Sequence, residues 1–480
     1  MGVSKGNMFE IEVKKVSLYN TRSRGVEEFA GIRPGYAGVY CCGPTVYNYQ
    51  HIGNLRTYIF EDLLTRVLRR AGYQVTHVMN ITDVGHLVSD ADDGEDKMAL
   101  AAKREGKRSH DIASYYTDIF FEHCAWLNIR RPDIVCKATE HISEMIELIK
   151  MLEHNGYAYQ AGGNVYFDVA RFSRYGDFAR LDMDNLLAGA RIDVDSNKRG
   201  PLDFALWFTK SKFENQELQW DSPWGRGYPG WHIECSAMAR RYLGDSFDVH
   251  CGGIDHIPVH HTNEIAQSEC ATGKCQAKFW LHGGFLTTAS EKMSKSTGEF
   301  LTLDVLKKRE IEPLAYRFFC LGGHYRKELA WSWEAVESAG RTLVKMRRRI
   351  DEIRESVEEG LDDEFSQVGL ELLSAFDTAV FADLGIAKAM AVVHETISDE
   401  QISSVEKLKL LSSYDEVLGL DLMCAQKEVK ELPEDVVALA KERDDARQAK
   451  NWSRADEIRN QLQAAGYLVE DTADGTKVKK

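Results

Sequence analysis

The chain has 480 residues, a size that suggests roughly three domains and leaves ample length for a hydrophobic core. Its 44% apolar and 28% charged residues are close to the averages of globular proteins, which excludes wholesale disorder. The formal net charge of -15 excludes a globally basic surface, so any contact with nucleic acid has to come from local basic patches.

Cysteine usage and hydropathy indicate the compartment. Ten cysteines are too few for a disulfide scaffold and favour a reduced location. The N-terminal segment MGVSKGNMFEIEVKK lacks the apolar stretch of a signal peptide, and no apolar run is long enough to cross a membrane. We therefore expect a cytoplasmic protein with no membrane partner.

A strand, a helix and a second strand are predicted near the N-terminus. Gly38 to Cys42 and Tyr73 to Ile81 are short apolar runs typical of buried strands. Between them, Ile59, Leu63 and Val67 recur at helical spacing. This order predicts a βαβ unit with parallel strands.

The same pattern returns further along the chain. Alternation from Phe247 to Cys251 predicts a strand, Pro258 and Gly273 bracket a predicted helix, and Lys278 to Leu286 is a further strand candidate. The stretch from 125 to 200 is irregular and helix-leaning. We therefore predict an α/β fold with a Rossmann-like parallel sheet that is split by an inserted domain.

The C-terminal third is predicted to be helical. From 326 to 425 the pattern is that of an α-helical bundle, and the charged segment from 426 to 433 is typical of a linker. A final small module contains an amphipathic helix through Ile458 and Leu462, for which Ser453 is the predicted N-cap.

The first segment with chemical potential is CCGPTVYNYQHIGN, residues 41 to 54, between a strand end and a helix start. Ligands of open α/β sheets bind at such strand ends, and helix N-termini offer free N–H groups to phosphates. His51 could donate a hydrogen bond to a phosphate that gains charge. On its own the motif is weak, since a loop histidine explains it equally well.

Candidate metal ligands are scattered along the chain. In a helix after Pro258, His260 and Glu264 are spaced i, i+4, whereas His261 and Glu264 are spaced i, i+3, so spacing leaves the choice open. No C-x-x-C pair exists, so a zinc site would need thiolates from distant segments, such as Cys42 and Cys235.

The segment EKMSKSTG carries Lys292 and Lys295 in a sequence rich in serine and glycine. Two lysines in such a loop could neutralise the charge that builds up on a leaving pyrophosphate. A solvated lysine turn is the alternative, and the residues alone do not exclude it.

Taken together, these segments resemble the cysteinyl-tRNA synthetase family, which belongs to the class I aminoacyl-tRNA synthetases. The resemblance extends over most of the chain and rests on several motifs: CGPTVY with HIG, NITD at 80 to 83, WDSPWG at 220 to 225, PGWHIECSAM, HHxNEIAQS, KMSKS, and the AR..K....ADEIR pattern at 446 to 459.

The resemblance implies one zinc ion per chain, held by Cys42, Cys235, His260 and Glu264. The family pattern thereby selects Cys42 rather than Cys41, and His260 rather than His261. Zinc suits a cysteine enzyme, because a thiol binds the metal as thiolate whereas an alcohol is a far poorer ligand at neutral pH. Because four protein ligands already fill a tetrahedral site, the substrate sulfur needs a fifth position or a lengthened bond.

The resemblance also implies the reaction. L-cysteine attacks magnesium-bound ATP to form cysteinyl-adenylate, and the cysteinyl group then passes to the 3′ end of tRNA(Cys). The implied ATP-binding residues are His51, Asn54, Lys292 and Lys295. The implied residues of the substrate pocket are Thr45, Trp231 and Asp255, and those that bind tRNA are Arg443, Arg447 and Trp452.

Two departures from the family pattern stand out. The second histidine of H-I-G-H is replaced by Asn54, which donates hydrogen bonds but carries no positive charge. The segment after NITD, residues 85 to 97, is an enlarged loop to which we assign no function.

The predicted organisation has six parts, and the chain is expected to act as a monomer. They are a first catalytic half (1–124), an inserted connective domain (125–200), a second catalytic half (201–290), a lysine-loop and stem-contact region (291–325), a helical bundle that binds tRNA (326–425) and a small anticodon-binding module (426–480).

Two rival functions remain open. A related ligase that joins cysteine to an amino sugar would share the zinc and the lysine loop, but it has no need for the C-terminal module. A non-catalytic paralogue that only binds RNA is disfavoured by the intact candidate ligands. The replacement of the second histidine by Asn54 is the one feature that favours it.

Overall fold

The computed structural model describes residues 13–84, 97–182, 197–210, 218–288, 301–357, 364–425, 434–472 and 475–479. The predicted phosphate-binding lysines Lys292 and Lys295, and most of the enlarged loop predicted at 85 to 97, lie outside these residues. Contacts divide the chain into two compact units, residues 1–424 and 425–480.

The strands of the first unit are, in chain order, β1 (Ser17–Asn20), β2 (Gly25–Glu28), β3 (Tyr36–Cys41), β4 (Gln74–Ile81), β5 (Ile134–Lys137), β6 (Ala158–Ala161), β7 (Asn164–Phe167), β8 (Phe204–Phe208), β9 (Tyr228–Pro229), β10 (Phe247–Gly253), β11 (Ala277–Gly283), β12 (Leu286–Thr288) and β13 (Leu329–Trp331). Its helices are α1 (Ile52–Arg70), α2 (Lys97–Glu105), α3 (Ser109–Trp126), α4 (Ile142–His154), α5 (Trp231–Leu243), α6 (His260–Thr272), α7 (Leu303–Lys308), α8 (Pro313–Leu321), α9 (Trp333–Glu355), α10 (Gln367–Phe381), α11 (Ile386–Ser398) and α12 (Ser404–Leu418).

A five-stranded parallel sheet forms the centre of this unit, with the strand order β11-β10-β3-β4-β5. Its middle strands are apolar and buried on both faces, as expected where helices cover a parallel sheet. The predicted α/β class with a split parallel sheet is confirmed, because β3, β4 and β5 come before a separate antiparallel sheet in the chain and β10 and β11 come after it.

That antiparallel sheet contains β6 to β9 in sequential order. It reaches Pro229, beyond residue 200, which is the predicted end of the inserted domain. The boundaries of the six predicted parts therefore stay predictions.

Helix α1 connects β3 to β4 as predicted. One face carries the apolar series that includes Ile59, Leu63 and Val67, all buried against the sheet. The chain leaves the helix through Gly72, whose φ of 97° lies in the region that favours glycine. At the other end the N-cap is His51, which places this histidine at the carboxyl edge of the sheet.

The helices α9 to α12 pack into the largest hydrophobic core, which they share with α1 and with one face of the central sheet. Arg317 on α8 is buried at this junction and donates to the Asp62 carboxylate at 2.7 Å and to the carbonyl of Leu418 at 2.7 Å. This buried ion pair fixes the helical region against α1.

The second unit contains α13 (Glu434–Gln448), α14 (Trp452–Ala464) and a hairpin of β14 (Leu468–Thr472) and β15 (Gly475–Lys479). Its core is formed by Val436, Ile458, Leu462 and Val469. The predicted helix is confirmed, but Ser453 as its N-cap is wrong. The side chain of Asn451 accepts from the Arg454 N–H instead, because the chain turns through Lys450 at a φ of 57° just before the helix.

Among the described residues, every helix is either too short or too polar to span a membrane.

His77 on β4 provides a test of the burial of the sheet. It is 3% exposed, and burial, with a smaller effect of the Arg69 guanidinium, lowers its pKa to about 4. Because the unfolded chain takes up this proton more readily, we expect stability to fall by about 3 kcal/mol from about pH 6.5 to about pH 4 on account of this residue. Urea unfolding of His77→Leu should show a correspondingly shallower pH dependence, and an identical slope in both proteins would contradict the assignment.

Candidate active site

A cavity of about 330 Å³ opens at the carboxyl ends of β3 and β10. From β3 the chain proceeds through α1 to β4 on one side, and from β10 it proceeds through α6 to β11 on the other. The strand order therefore reverses between β3 and β10. Such a switch point leaves a crevice above the sheet, which is the usual ligand site of open α/β folds.

Four side chains converge at this cavity; three of them line it, and the fourth, Glu264, is buried beside them. Cys42 follows β3, Cys235 lies on α5, and His260 and Glu264 lie one turn apart on α6. The two sulfur atoms are 4.0 Å apart, and Nε2 of His260 is 3.1 Å from Oε1 of Glu264. One ligand atom from each side chain lies within 4.8 Å of all the others, so the four could hold one metal ion.

A second set of the same size shares two of these ligands. Cys42 and Glu264 also lie within 4.8 Å of ring nitrogens of His250 and His261. Cys42, Cys235 and His260 line the cavity, whereas His250 and His261 lie beneath it among the buried residues. Only the first set therefore presents an ion to a ligand in the cavity, and the geometry agrees with the choice of His260 over His261 implied by the resemblance.

The electrostatics of the group suit a cation. Burial alone would raise the pKa of Glu264. The neighbouring His250 and His260 nevertheless hold this pKa below its usual range. Burial raises the pKa of the Cys42 thiol, whereas a hydrogen bond from Cys42 lowers the pKa of Cys235 to about 7. The group thus already holds a carboxylate and a readily ionised thiol.

The donor set fits zinc. Two sulfurs, one imidazole and one carboxylate are ligands that Zn²⁺ accepts together, and sulfur ligands disfavour Mg²⁺ and Ca²⁺. Nε2 of His250 donates to Oε2 of Glu264 at 2.9 Å, which leaves Oε1 directed at the other ligands. Supporting contacts of this kind fix the orientation of ligating side chains.

The N-terminus of α1 forms another part of the cavity lining. Its cap, His51, accepts the Asn54 N–H through Nδ1 at 3.2 Å, so the ring proton lies on Nε2. His51 and Asn54 both line the cavity. A helix N-terminus with an imidazole N–H beside it is suited to a phosphate group.

Three further predicted residues border the same space. Thr45, Trp231 and Asp255 all line the cavity, and the Trp231 ring lies 5.2 Å from the ring of His260. Their position agrees with a role in binding substrate, which stays a prediction.

Polar residues that surround the ligands were not predicted from the sequence. Asn80 accepts the Gly43 N–H at 2.8 Å and lies 3.7 Å from the Cys235 sulfur. His282 contacts Nδ1 of His261 at 2.8 Å and Oγ1 of Thr21 at 2.8 Å. The sequence did carry one signal for these histidines, their clustering: six of the fifteen histidines lie between residues 232 and 282.

Helix α1 also anchors the segments that precede β12 and β13. The buried guanidinium of Arg56 donates to the carbonyls of Gly284 (2.7 Å), Phe285 (2.5 Å), His324 (3.3 Å) and Lys327 (2.6 Å). Among the described residues it forms no ion pair within 4.0 Å, so these carbonyls provide its solvation.

Replacing Arg56 by methionine is expected to lower the free energy of unfolding by about 3 kcal/mol, because it removes the donor from buried carbonyls. The matched control is Arg69→Met on the same helix. Arg69 pairs with Asp133, and both side chains are more than a quarter exposed, so its loss should cost less than about 1 kcal/mol. Equal losses in urea unfolding of the two variants would contradict this assignment.

The predicted tRNA-binding residues of the second unit differ in exposure. Trp452 is 59% exposed, as a stacking platform requires. Arg443 is only 2% exposed and donates to Oγ1 of Thr476 at 2.6 Å, so it holds the hairpin in place. We therefore retain Trp452 and the half-buried Arg447, and no longer Arg443, as candidates for RNA contact.

The parallel sheet, its switch-point cavity and the helix N-terminus agree with a class I aminoacyl-tRNA synthetase, and a family match over most of this unit shows that class. Residues 28–341 match the family described as tRNA synthetases class I (C) catalytic domain. A methionyl-tRNA synthetase from Mycobacterium tuberculosis, solved with methionyl-adenylate, has a similar fold with a TM-score of 0.54 and 16% identity, over 80% of this chain and 90% of that one.

The particular family follows from more similar sequences. A cysteine--tRNA ligase of Treponema denticola is 49% identical over 97% of this chain and 99% of its own length. Cysteine--tRNA ligase 1 of Burkholderia lata is 47% identical over 96% of both chains. Residues 429–478 also match the cysteinyl-tRNA ligase anticodon binding domain. The chain belongs to the cysteine--tRNA ligase family.

Proposed function

We propose that the chain activates L-cysteine with ATP as cysteinyl-adenylate and transfers the cysteinyl group to the 3′ end of tRNA(Cys). The observation that carries this proposal is the convergence of Cys42, Cys235, His260 and Glu264 at a cavity that is also lined by a helix N-terminus. One end suits a thiol-binding metal and the other suits a phosphate.

Zinc held by the four ligands would supply a Lewis acid that accepts a thiolate in preference to an alcohol. Size alone separates cysteine from serine poorly, because isosteric side chains differ by only about 1 to 3 kcal/mol in a shaped pocket. Selection by sulfur affinity removes the need for a separate editing step.

The remaining chemistry is alignment. His51 donates from Nε2 to an ATP phosphate, and the free N–H groups at the start of α1 add to its stabilisation. Asn54 contributes a neutral amide at the same end. Lys292 and Lys295, by resemblance, neutralise the magnesium-bound pyrophosphate as it leaves. Thr45, Trp231 and Asp255 enclose the amino acid.

The C-terminal residues 426–480 bind the anticodon in this proposal. Support comes from the family match over 429–478 and from the exposed Trp452, since an aromatic ring with nearby basic residues suits unpaired bases. The helical region before it braces the tRNA.

The chain works as a monomer in the cytoplasm in this proposal. All four candidate metal ligands belong to the same chain. Each of the ten cysteines is free, as the reduced state of a cytoplasmic protein requires.

The test is cysteine-dependent exchange of pyrophosphate into ATP, before and after treatment with a zinc chelator, followed by charging of tRNA(Cys). We expect exchange that depends on zinc, and charging by the same protein. No exchange with zinc-loaded protein would defeat the enzymatic assignment and favour an RNA-binding paralogue. Exchange without charging would instead favour the amino-sugar ligase.

A further inference from the structure

A tyrosine-rich surface borders the cavity. We call it the tyrosine ledge and define it as Tyr49, Lys107, Tyr115 and Tyr116. Tyr49 lines the cavity, its hydroxyl lies 3.3 Å from that of Tyr115, and its ring meets Tyr116 edge-on at 5.2 Å. The ledge is therefore continuous with the cavity.

The members of the ledge differ in how they are held. Tyr116 is 5% exposed, and its hydroxyl donates to Glu105 at 2.6 Å, so it is part of the packing between α2 and α3. Tyr115, its neighbour on α3, is 41% exposed. Its large ring is thus partly exposed beside a buried ring, and packing in the core does not account for its position.

Positive charge accompanies the exposed ring. The Lys107 ammonium lies 4.8 Å from the centre of the Tyr115 ring, within cation–π range. Residues 103 to 111 contain four lysines and arginines against two acidic residues, in a chain whose net charge is -15. An exposed aromatic ring within a local basic patch is the usual composition of a surface for unpaired nucleotides.

The occupant follows from what has to enter the cavity. Under the proposed function, the terminal nucleoside of the tRNA must reach the activated cysteine in the cavity. The single-stranded nucleotides just before it must then cross the rim. Tyr49 lines the cavity and Tyr115, which contacts it, is exposed, so the ledge leads from the cavity to the surface.

We propose that the tyrosine ledge binds the single-stranded 3′ end of the tRNA, with a base stacked on Tyr115 and the phosphate backbone near Lys107. This inference rests on the proposed function and deepens it. Stacking on an aromatic ring contributes roughly 5- to 100-fold to the affinity for a base and depends little on which base is present.

The test measures Kd for two tRNA(Cys) transcripts, one complete and one lacking its unpaired 3′ nucleotides. The unsubstituted chain should bind the complete transcript about 5- to 100-fold more tightly. Tyr115→Ala should lose this preference, while Tyr115→Trp should keep it because indole also stacks. In charging assays Tyr115→Ala should raise the KM for tRNA by the same factor and leave kcat within about twofold.

Tyr36→Ala is the matched control. Tyr36 also carries a cation over its ring, with Arg33 at 3.9 Å, but it lies at the amino-terminal end of β3, at the opposite end of the sheet. It should retain the preference. The proposal is overturned if Tyr115→Ala keeps the preference, if Tyr115→Trp loses it, or if Tyr115→Ala weakens both transcripts equally. Pyrophosphate exchange by the unsubstituted chain, if absent, would point to failure of the proposed function instead.

Discussion

Replacing Cys235 by serine is expected to remove the bound zinc and to lower kcat/KM for cysteine in pyrophosphate exchange by on the order of 10³ or more, because the group that recognises sulfur is lost. Cys235 lies 4.0 Å from Cys42 and is 3% exposed. A serine hydroxyl at neutral pH stays protonated and is a poor zinc ligand. Zinc content by mass spectrometry and exchange rates on the same preparation measure both effects.

The matched control for this variant is Cys275→Ser. Cys275 is an exposed free thiol outside the cavity, so its replacement should leave one zinc per chain and unchanged exchange. A metal-free Cys235→Ser protein that still activated cysteine at the normal rate would refute the proposed role of the metal.

The second large effect is expected for His51→Asn. Asparagine is a good N-cap, so this variant should keep the cap of α1 while losing the donor on Nε2. We expect kcat for exchange to fall about 10²- to 10³-fold, the usual cost of removing one donor to a developing charge. The KM for cysteine should change little, because the amino acid binds at the other end of the cavity.

Comparison with His51→Ala separates the two roles of the residue. Alanine loses the cap as well, so it should add a loss of about 1 kcal/mol in stability to the same loss of kcat. Thermal unfolding of both variants measures this difference. If His51→Asn kept full activity while His51→Ala did not, the residue would act through the helix cap rather than through phosphate.

The sequence predicted the layers of the fold well, because they follow from local patterns. Apolar runs such as Tyr73 to Ile81 and the helical repeat in α1 carry their own signal, and the structure has β4 and α1 at those positions. The N-cap at Asn451 was missed because it depends on backbone geometry at Lys450, which residue type does not determine. The end of the antiparallel sheet near Pro229 depends on long-range strand pairing.

The metal ligands also divide into those that a local pattern predicts and those that only the fold brings together. The spacing of His260 and Glu264 is local and could be read, but nothing local brings Cys42 to Cys235, almost two hundred positions away. Strand alternation could have separated the adjacent cysteines: Cys41 packs in the core on the side of α1, whereas Cys42 packs on the side of α5 and α6. The histidines beneath the site, His250 and His282, gave no signal beyond their number.

The pairing of β3 with β10 has a consequence for biosynthesis. Val39 lies opposite Val249, so the central strand of the sheet has one neighbour nearby in the chain and the other only after more than half of the chain has been made. Such long-range pairing slows folding. A nascent chain on the ribosome therefore keeps one edge of β3 unpaired until β10 emerges, and it acquires its full set of zinc ligands only when Glu264 follows.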